Sequence, residues 1–146
     1  MKTLIVCKSY HHMNTEKVAK AMAEVLGAKL ATVEDVKPTD LADYDLIGFG
    51  SGIYMGKHHK ALLEFAKSLP EQKKAAFVFS TSGAGKNQHK ALLDVLGQKG
   101  FTIKGEFTCL GFDTFGPFKL IGGLKKGHPD AKDLEDSRAF AKSLMN

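Results

Sequence analysis

Three short segments of this 146-residue chain are built of small hydroxyl residues, two of them with glycine and two with aromatic or imidazole side chains. The first is Ser9-Tyr10-His11-His12-Met13-Asn14-Thr15, directly ahead of a helical pattern. Backbone N–H groups at a helix N-terminus are free, and the dipole there favours an anion. Ser9, Asn14 and Thr15 add side-chain donors, so the segment has the chemistry of a phosphate site. A plainer reading stands beside it, in which Asn14 or Thr15 only caps the helix. The second segment is Gly50-Ser51-Gly52-Ile53-Tyr54-Met55-Gly56. Its glycines admit close approach of backbone to a ligand, and Tyr54 offers an aromatic face. The third is Ser80-Thr81-Ser82-Gly83-Ala84-Gly85. Each is also what an ordinary strand-to-helix turn contains. Three on one edge of a sheet suit a flat, phosphate-bearing ligand.

Competing sites fail on spacing. A dinucleotide fingerprint needs Gly-x-Gly-x-x-Gly, but Gly48 and Gly50 are followed by Ile53, and Gly83 and Gly85 by Gln88. A P-loop needs four residues between its glycines, whereas Gly52 and Gly56 are separated by three, and Lys57 is followed by His58. A Cys-x5-Arg phosphatase loop built on Cys7 would need arginine where Met13 stands. A receiver domain needs acids where Lys8 and Gly50 end their strands. The pairs His11-His12 and His58-His59 have no carboxylate or thiol beside them, so phosphate contact or surface polarity is preferred to a metal. A mononucleotide remains.

The elements that must carry these segments follow from two alternating periods. Thr3 to Cys7, apolar and β-branched, reads as a buried strand, Asp45 to Gly50, Ala75 to Ser80 and Phe101 to Leu110 as further strands, and Lys29 to Val33 as a more exposed one. Between them, Glu16 to Leu26, His58 to Leu69 and His89 to Lys99 place apolar residues on one helical face. Asp130 to Met145 makes a last helix with acid in its first turns, suiting the dipole. Strands alternating with helices predict a three-layer, doubly wound α/β fold with five parallel strands. Its ligand lies beyond the carboxyl ends of the strands, where strand order reverses. Without repeats or linkers, residues 1–146 read as one domain. The long irregular stretch Gly111 to His128, with Phe112, Phe115 and Phe118, would either cover a ligand or pack onto the sheet.

Composition closes off other classes. The 43% apolar content excludes disorder, and no apolar run approaches the ~20 residues of a membrane span. The apolar stretch at the start is too short for a signal peptide, so the reading is cytoplasmic. The net charge of +5 comes from scattered lysines, and with no Trp and no like-charge run, nucleic acid is set aside. Cys7 and Cys109 sit in apolar runs and read as buried free thiols.

Over essentially its whole length the chain resembles the flavodoxin family. Ser9 to Thr15 is similar to that family's phosphate loop, although His11, His12 and Met13 stand where glycine is usual, as in a longer-loop branch. Gly52 to Gly56 is similar to the loop flanking the isoalloxazine ring, and Thr81-Ser82-Gly83 to the loop along its other edge. The resemblance implies strand order 2-1-3-4-5 and non-covalent FMN. It implies cofactor contacts from Ser9, Tyr10, His11, His12, Asn14, Thr15, Ser51, Gly52, Ile53, Tyr54, Thr81, Ser82, Gly83 and Gly85, with Tyr54 stacking on the ring.

Two functions follow from the resemblance. One is an electron carrier between redox partner proteins, with a monomer favoured. The other is an NAD(P)H-dependent FMN or quinone reductase of flavodoxin type. A flavin-free interaction module on the same fold is a third possibility. The three segments contain no Asp or Glu and are flanked by Lys57, His58, His59, Lys60, Lys86, His89 and Lys90. A basic rim of this kind favours the anionic reduced flavin and predicts a less negative potential than in acidic flavodoxins. It also predicts acidic partners.

Overall fold

The computed structural model describes residues 1–8, 14–82, 87–110 and 129–145. In chain order its elements are β1 (Thr3–Lys8), α1 (Asn14–Leu26), β2 (Lys29–Thr32), β3 (Leu46–Tyr54), β4 (Lys57–His58), α2 (Lys60–Ser68), β5 (Ala75–Ser82), α3 (Lys90–Gln98), β6 (Thr102–Leu110) and α4 (Ala131–Ser143). The path of the sheet is β2-β1-β3-β5-β6, parallel throughout, and the short β4 pairs with β3 off that path. With β4 set aside, this is the expected order of five parallel strands.

The sixth strand is the difference. β3 runs past Gly50 to Tyr54 and turns back through Met55 (φ 55) and Gly56 (φ 78), pairing Ile53 with His58 and Tyr54 with Lys57. Two left-handed central residues make the hairpin turn that matches strand twist. Glycine adopts that conformation freely, whereas methionine does so at a cost of about 1–2 kcal/mol. The sequence therefore carries only half of the hairpin signal. Met55, 91% exposed, sits at the tip.

Parallel strands covered on both faces alternate their side chains between two cores. Leu4, Val6, Ile47, Phe49 and Val78 pack under Leu62, Phe65, Leu92 and Leu96 of α2 and α3. Ile5, Cys7, Phe77 and Phe79 pack under Val18 and Met22 of α1 and Ala141 of α4. Gly50 belongs to this second core. A Cβ there would lie 2.2 Å from the Phe79 ring, so this glycine makes room for an aromatic side chain of the neighbouring strand, not for a ligand. The last helix begins at a capping box, with Asp130 accepting from the Asp133 N–H and Asp133 from the Asp130 N–H, both at 2.9 Å. Among the described residues no helix is long and apolar enough to cross a membrane.

Candidate functional site

β2 lies on one side of β1 and β3 on the other, so strand order reverses at β1. The carboxyl ends of β1, β3 and β5 stand level there, with Lys8 opposite Ser51 and Gly52 opposite Thr81. The N-terminus of α1 reaches the same edge. Asn14 and Thr15 are buried in its first turn, and Thr15 Oγ1 lies 2.9 Å from Thr81 Oγ1, a buried bond between residues 66 positions apart. The first and third predicted loops are thus brought together by a contact between residues both assigned to the cofactor.

The second loop is largely strand and hairpin. Ser51 is fully buried and its hydroxyl is committed within the chain: it donates to Gly52 O at 2.6 Å and accepts from the His59 N–H at 2.9 Å. Ile53 pairs with His58. The Tyr54 ring meets His59 edge-on, with centroids 5.1 Å apart, and its hydroxyl lies 3.1 Å from where a Gly52 Cβ would stand. Ser82, half-buried, ends β5 opposite Leu110. Ser9, Tyr10, His11, His12, Gly83 and Gly85 lie outside the described residues, as do Lys86 and the stretch from Gly111 to His128.

The histidines differ most from the sequence reading. His59 caps α2, its Nδ1 accepting from the Ala61 N–H at 2.9 Å. His58, expected at the surface, is 2% exposed. Its Nε2 lies 2.9 Å from Phe79 O, which can only accept, so Nε2 carries the proton and Nδ1 is left bare, with no partner among the described residues. Burial pulls its pKa down from 6.5 to about 4, more than the bond to Phe79 O and the Glu106 charge raise it. His89 is also fully buried, between Ser80 and Glu106. Burial lowers its pKa, against the pull of Glu106. Glu106 is itself held below the usual carboxylate range, first by the Asn87 amide and then by His89.

The expected basic rim is correspondingly reduced. His58 and His89 are buried and neutral, while Lys60 pairs with Glu64 and Lys90 with Asp94 on the surface. Lys8 pairs with Glu34, whose carboxyl is held low chiefly by that contact. Lys60 and Lys90 thus meet acids of their own helices, whereas Lys8 and His89 meet Glu34 and Glu106 from other elements, whose proximity could not be seen from segments read one at a time.

An edge of small hydroxyls and glycine at the switch point of a doubly wound sheet defines a mononucleotide-binding α/β protein. Residues 4–107 match the flavodoxin domain family. The chain belongs to that family, and its cofactor is FMN. A relative from Methanocaldococcus jannaschii, itself described as uncharacterised, is 49% identical and aligned over 99% of both chains. A flavodoxin from the domain Archaea superposes with a TM-score of 0.71 at 18% identity, covering 99% of this chain and 96% of that one. A flavodoxin from Streptococcus pneumoniae TIGR4 gives 0.72 at 18% identity, covering 99% and 98%. The rubredoxin oxygen:oxidoreductase of Desulfovibrio gigas gives 0.70 at 21% identity, with this chain corresponding to 35% of that protein. The described residues fit FMN: Thr15, Gly52, Thr81 and Ser82 are small and uncharged, and the buried Thr15–Thr81 bond holds two of the required loops together.

Proposed function

We propose that the chain is a single FMN-binding domain over residues 1–146 acting as a cytoplasmic electron carrier between redox partner proteins. When bound, FMN supplies the redox chemistry, and the protein supplies binding, orientation and electrostatics. In this reading the phosphate is held by Ser9, Tyr10, His11 and His12 with Asn14 and Thr15 of α1, where free N–H groups meet the positive end of the dipole. Tyr54 offers an aromatic face to the ring, and backbone groups of Ser51, Gly52, Ile53, Thr81, Ser82, Gly83 and Gly85 meet its polar edges. The observation that carries the carrier reading is the β3–β4 hairpin. It projects an almost fully exposed Met55 in a costly backbone conformation beside Tyr54, and backbone strain that persists beside a site suggests a use. A flexible, polarisable side chain there suits contact with a protein. The net charge of +5 suits partners of acidic surface.

The reductase reading keeps one support. The described stretches Gly50 to Lys60 and Asn87 to Leu93 contain no carboxylate that would repel an electron-rich nicotinamide or quinone.

The test is the visible spectrum of the purified protein after FMN is added and the excess removed, followed by stepwise reduction and by NADH or NADPH oxidation with a quinone. Retained flavin that takes electrons one at a time, with negligible turnover of nicotinamide, is expected. Steady nicotinamide oxidation would turn the assignment to the reductase, and a protein that holds no flavin would end both.

A further inference from the structure

Beneath the carboxyl ends of β5 and β6 lies a polar chain that the Thr15–Thr81 bond does not use. The backbone N–H of His89 donates to Asn87 Oδ1 at 3.0 Å. Its ring reaches both ways, with Nδ1 2.9 Å from Glu106 Oε1 and Nε2 2.7 Å from Ser80 Oγ. Asn87 Nδ2 donates to the same Glu106 oxygen at 2.9 Å, and Ser80 Oγ donates to Thr108 Oγ1 at 3.0 Å. Ser80 and His89 are fully buried, while the Glu106 side chain is one-third exposed. Ser80 precedes residues 83–86 and Asn87 follows them, so the His89 ring holds the first flank of the third predicted cofactor loop, while the His89 backbone N–H and Glu106 hold the second.

We propose that His89 is a positioning residue for the FMN site: its ring fastens the Ser80 flank of that loop to Glu106, its backbone N–H holds Asn87 on the other flank, and the proton on its Nε2 sets the direction of the Ser80 hydroxyl. The proposal rests on the reading that this edge holds FMN. Ser80 has one proton and two partners. When Nε2 is protonated, the ring donates to Ser80 and Ser80 donates to Thr108, so both bonds are made. When Nε2 is bare, the Ser80 proton turns to the ring, and the bond to Thr108 is kept only with the Thr108 hydroxyl as donor. An ionised Glu106 can only accept, so it keeps a proton on Nδ1 in both states. The change of state is one proton taken from solvent onto Nε2 and a rotation of one hydroxyl.

Among the described residues few charges face this ring. Glu106 approaches from β6, and His58 from β4 with ring centroids 5.0 Å apart. On α3, Lys90 and Asp94 pair with each other at the surface, as do Lys60 and Glu64 on α2. β5 presents only Ser80. Burial opposes the second proton and Glu106 favours it, the balance lying on the side of burial. The ring is therefore neutral at neutral pH and gains its charge on acidification.

The test pairs imidazole ¹⁵N spectra with flavin affinity from about pH 8 downwards, through the titration of the His89 ring, in the wild-type chain, Glu106→Gln and His89→Gln. Affinity is read by fluorescence quenching with FMN and with riboflavin, which lacks the phosphate that itself titrates. The signal lost in His89→Gln should show a proton on Nδ1 alone at high pH and on both nitrogens at low pH. Glu106→Gln should shift that ring towards the Nε2–H tautomer. Both variants should weaken both flavins about tenfold. The riboflavin affinity of the wild-type chain should change with the ring's own titration and lose that step in His89→Gln. If His89→Gln does not fold, Glu106→Gln alone carries the comparison. An unchanged tautomer in Glu106→Gln, or affinities within about twofold of wild type in every variant that folds, would overturn the proposal. A wild-type chain that binds neither flavin would end the FMN reading and the positioning role with it, while the spectra would still report the relay itself.

Discussion

Thr15, in the first turn of α1, and Thr81, at the end of β5, share a buried 2.9 Å hydrogen bond between their Oγ1 atoms. Two loops that the chain separates by 66 positions thereby become two sides of one site. Thr81→Val keeps the shape and removes one partner, leaving the Thr15 hydroxyl without this bond. The expected loss is about 1–2 kcal/mol in urea unfolding, with weaker FMN binding. Thr15→Val with Thr81→Val should cost less than the two single changes added together, by about 1 kcal/mol of coupling. Strict additivity would show that the two hydroxyls do not interact.

Gly50→Ala places a methyl 2.2 Å from the Phe79 ring. Overpacking of this kind costs about 1–3 kcal/mol. The ring stands on the neighbouring strand, so Phe79→Leu in the same chain should recover part of the loss. A Gly50→Ala protein as stable as wild type in chemical denaturation would contradict the packing role.

His58 gives folding a pH dependence of definite sign. Its folded pKa of about 4 lies below the ordinary 6.5, so between those values the unfolded chain binds the extra proton. Its contribution is fully present above about pH 6.5 and is lost as pH falls towards 4, amounting to up to about 3 kcal/mol. His89, also lowered, acts in the same direction. Unfolding free energies of wild type and His58→Phe, measured between those two pH values, should differ in slope, with the variant flatter. Parallel curves would mean that His58 does not titrate with folding.

Cys7 and Cys109 are buried thiols whose pKa values are pushed up to about 12, chiefly by burial. The thiolate is the reactive form, so neither should react with a thiol reagent in the native protein. Both should label at the rate of unfolding, and fast native labelling of either would refute the burial.

The alternation of apolar strands and amphipathic helices was legible because it is written in local periodicity. It predicted the doubly wound sheet, while the order of its five parallel strands came from the resemblance to the flavodoxins. Thr15 and Thr81 could each be chosen from residue type and position alone. The bond between them could not, because it depends on how α1 and β5 pack. The hairpin after β3 was hidden for a local reason, since Met55 is a poor signal for a left-handed turn. His58 and His89 misled in the other direction. Imidazoles in polar segments look like surface charge, yet one is sealed between β4 and β5 and the other is held by a carboxylate on β6. The sequence by itself determined which backbone could form and which segments could meet a phosphate-bearing ligand, because short-range pattern and turn chemistry set both. Only the tertiary structure decided which polar groups are desolvated and which partner each buried histidine meets, because those depend on elements the chain keeps apart.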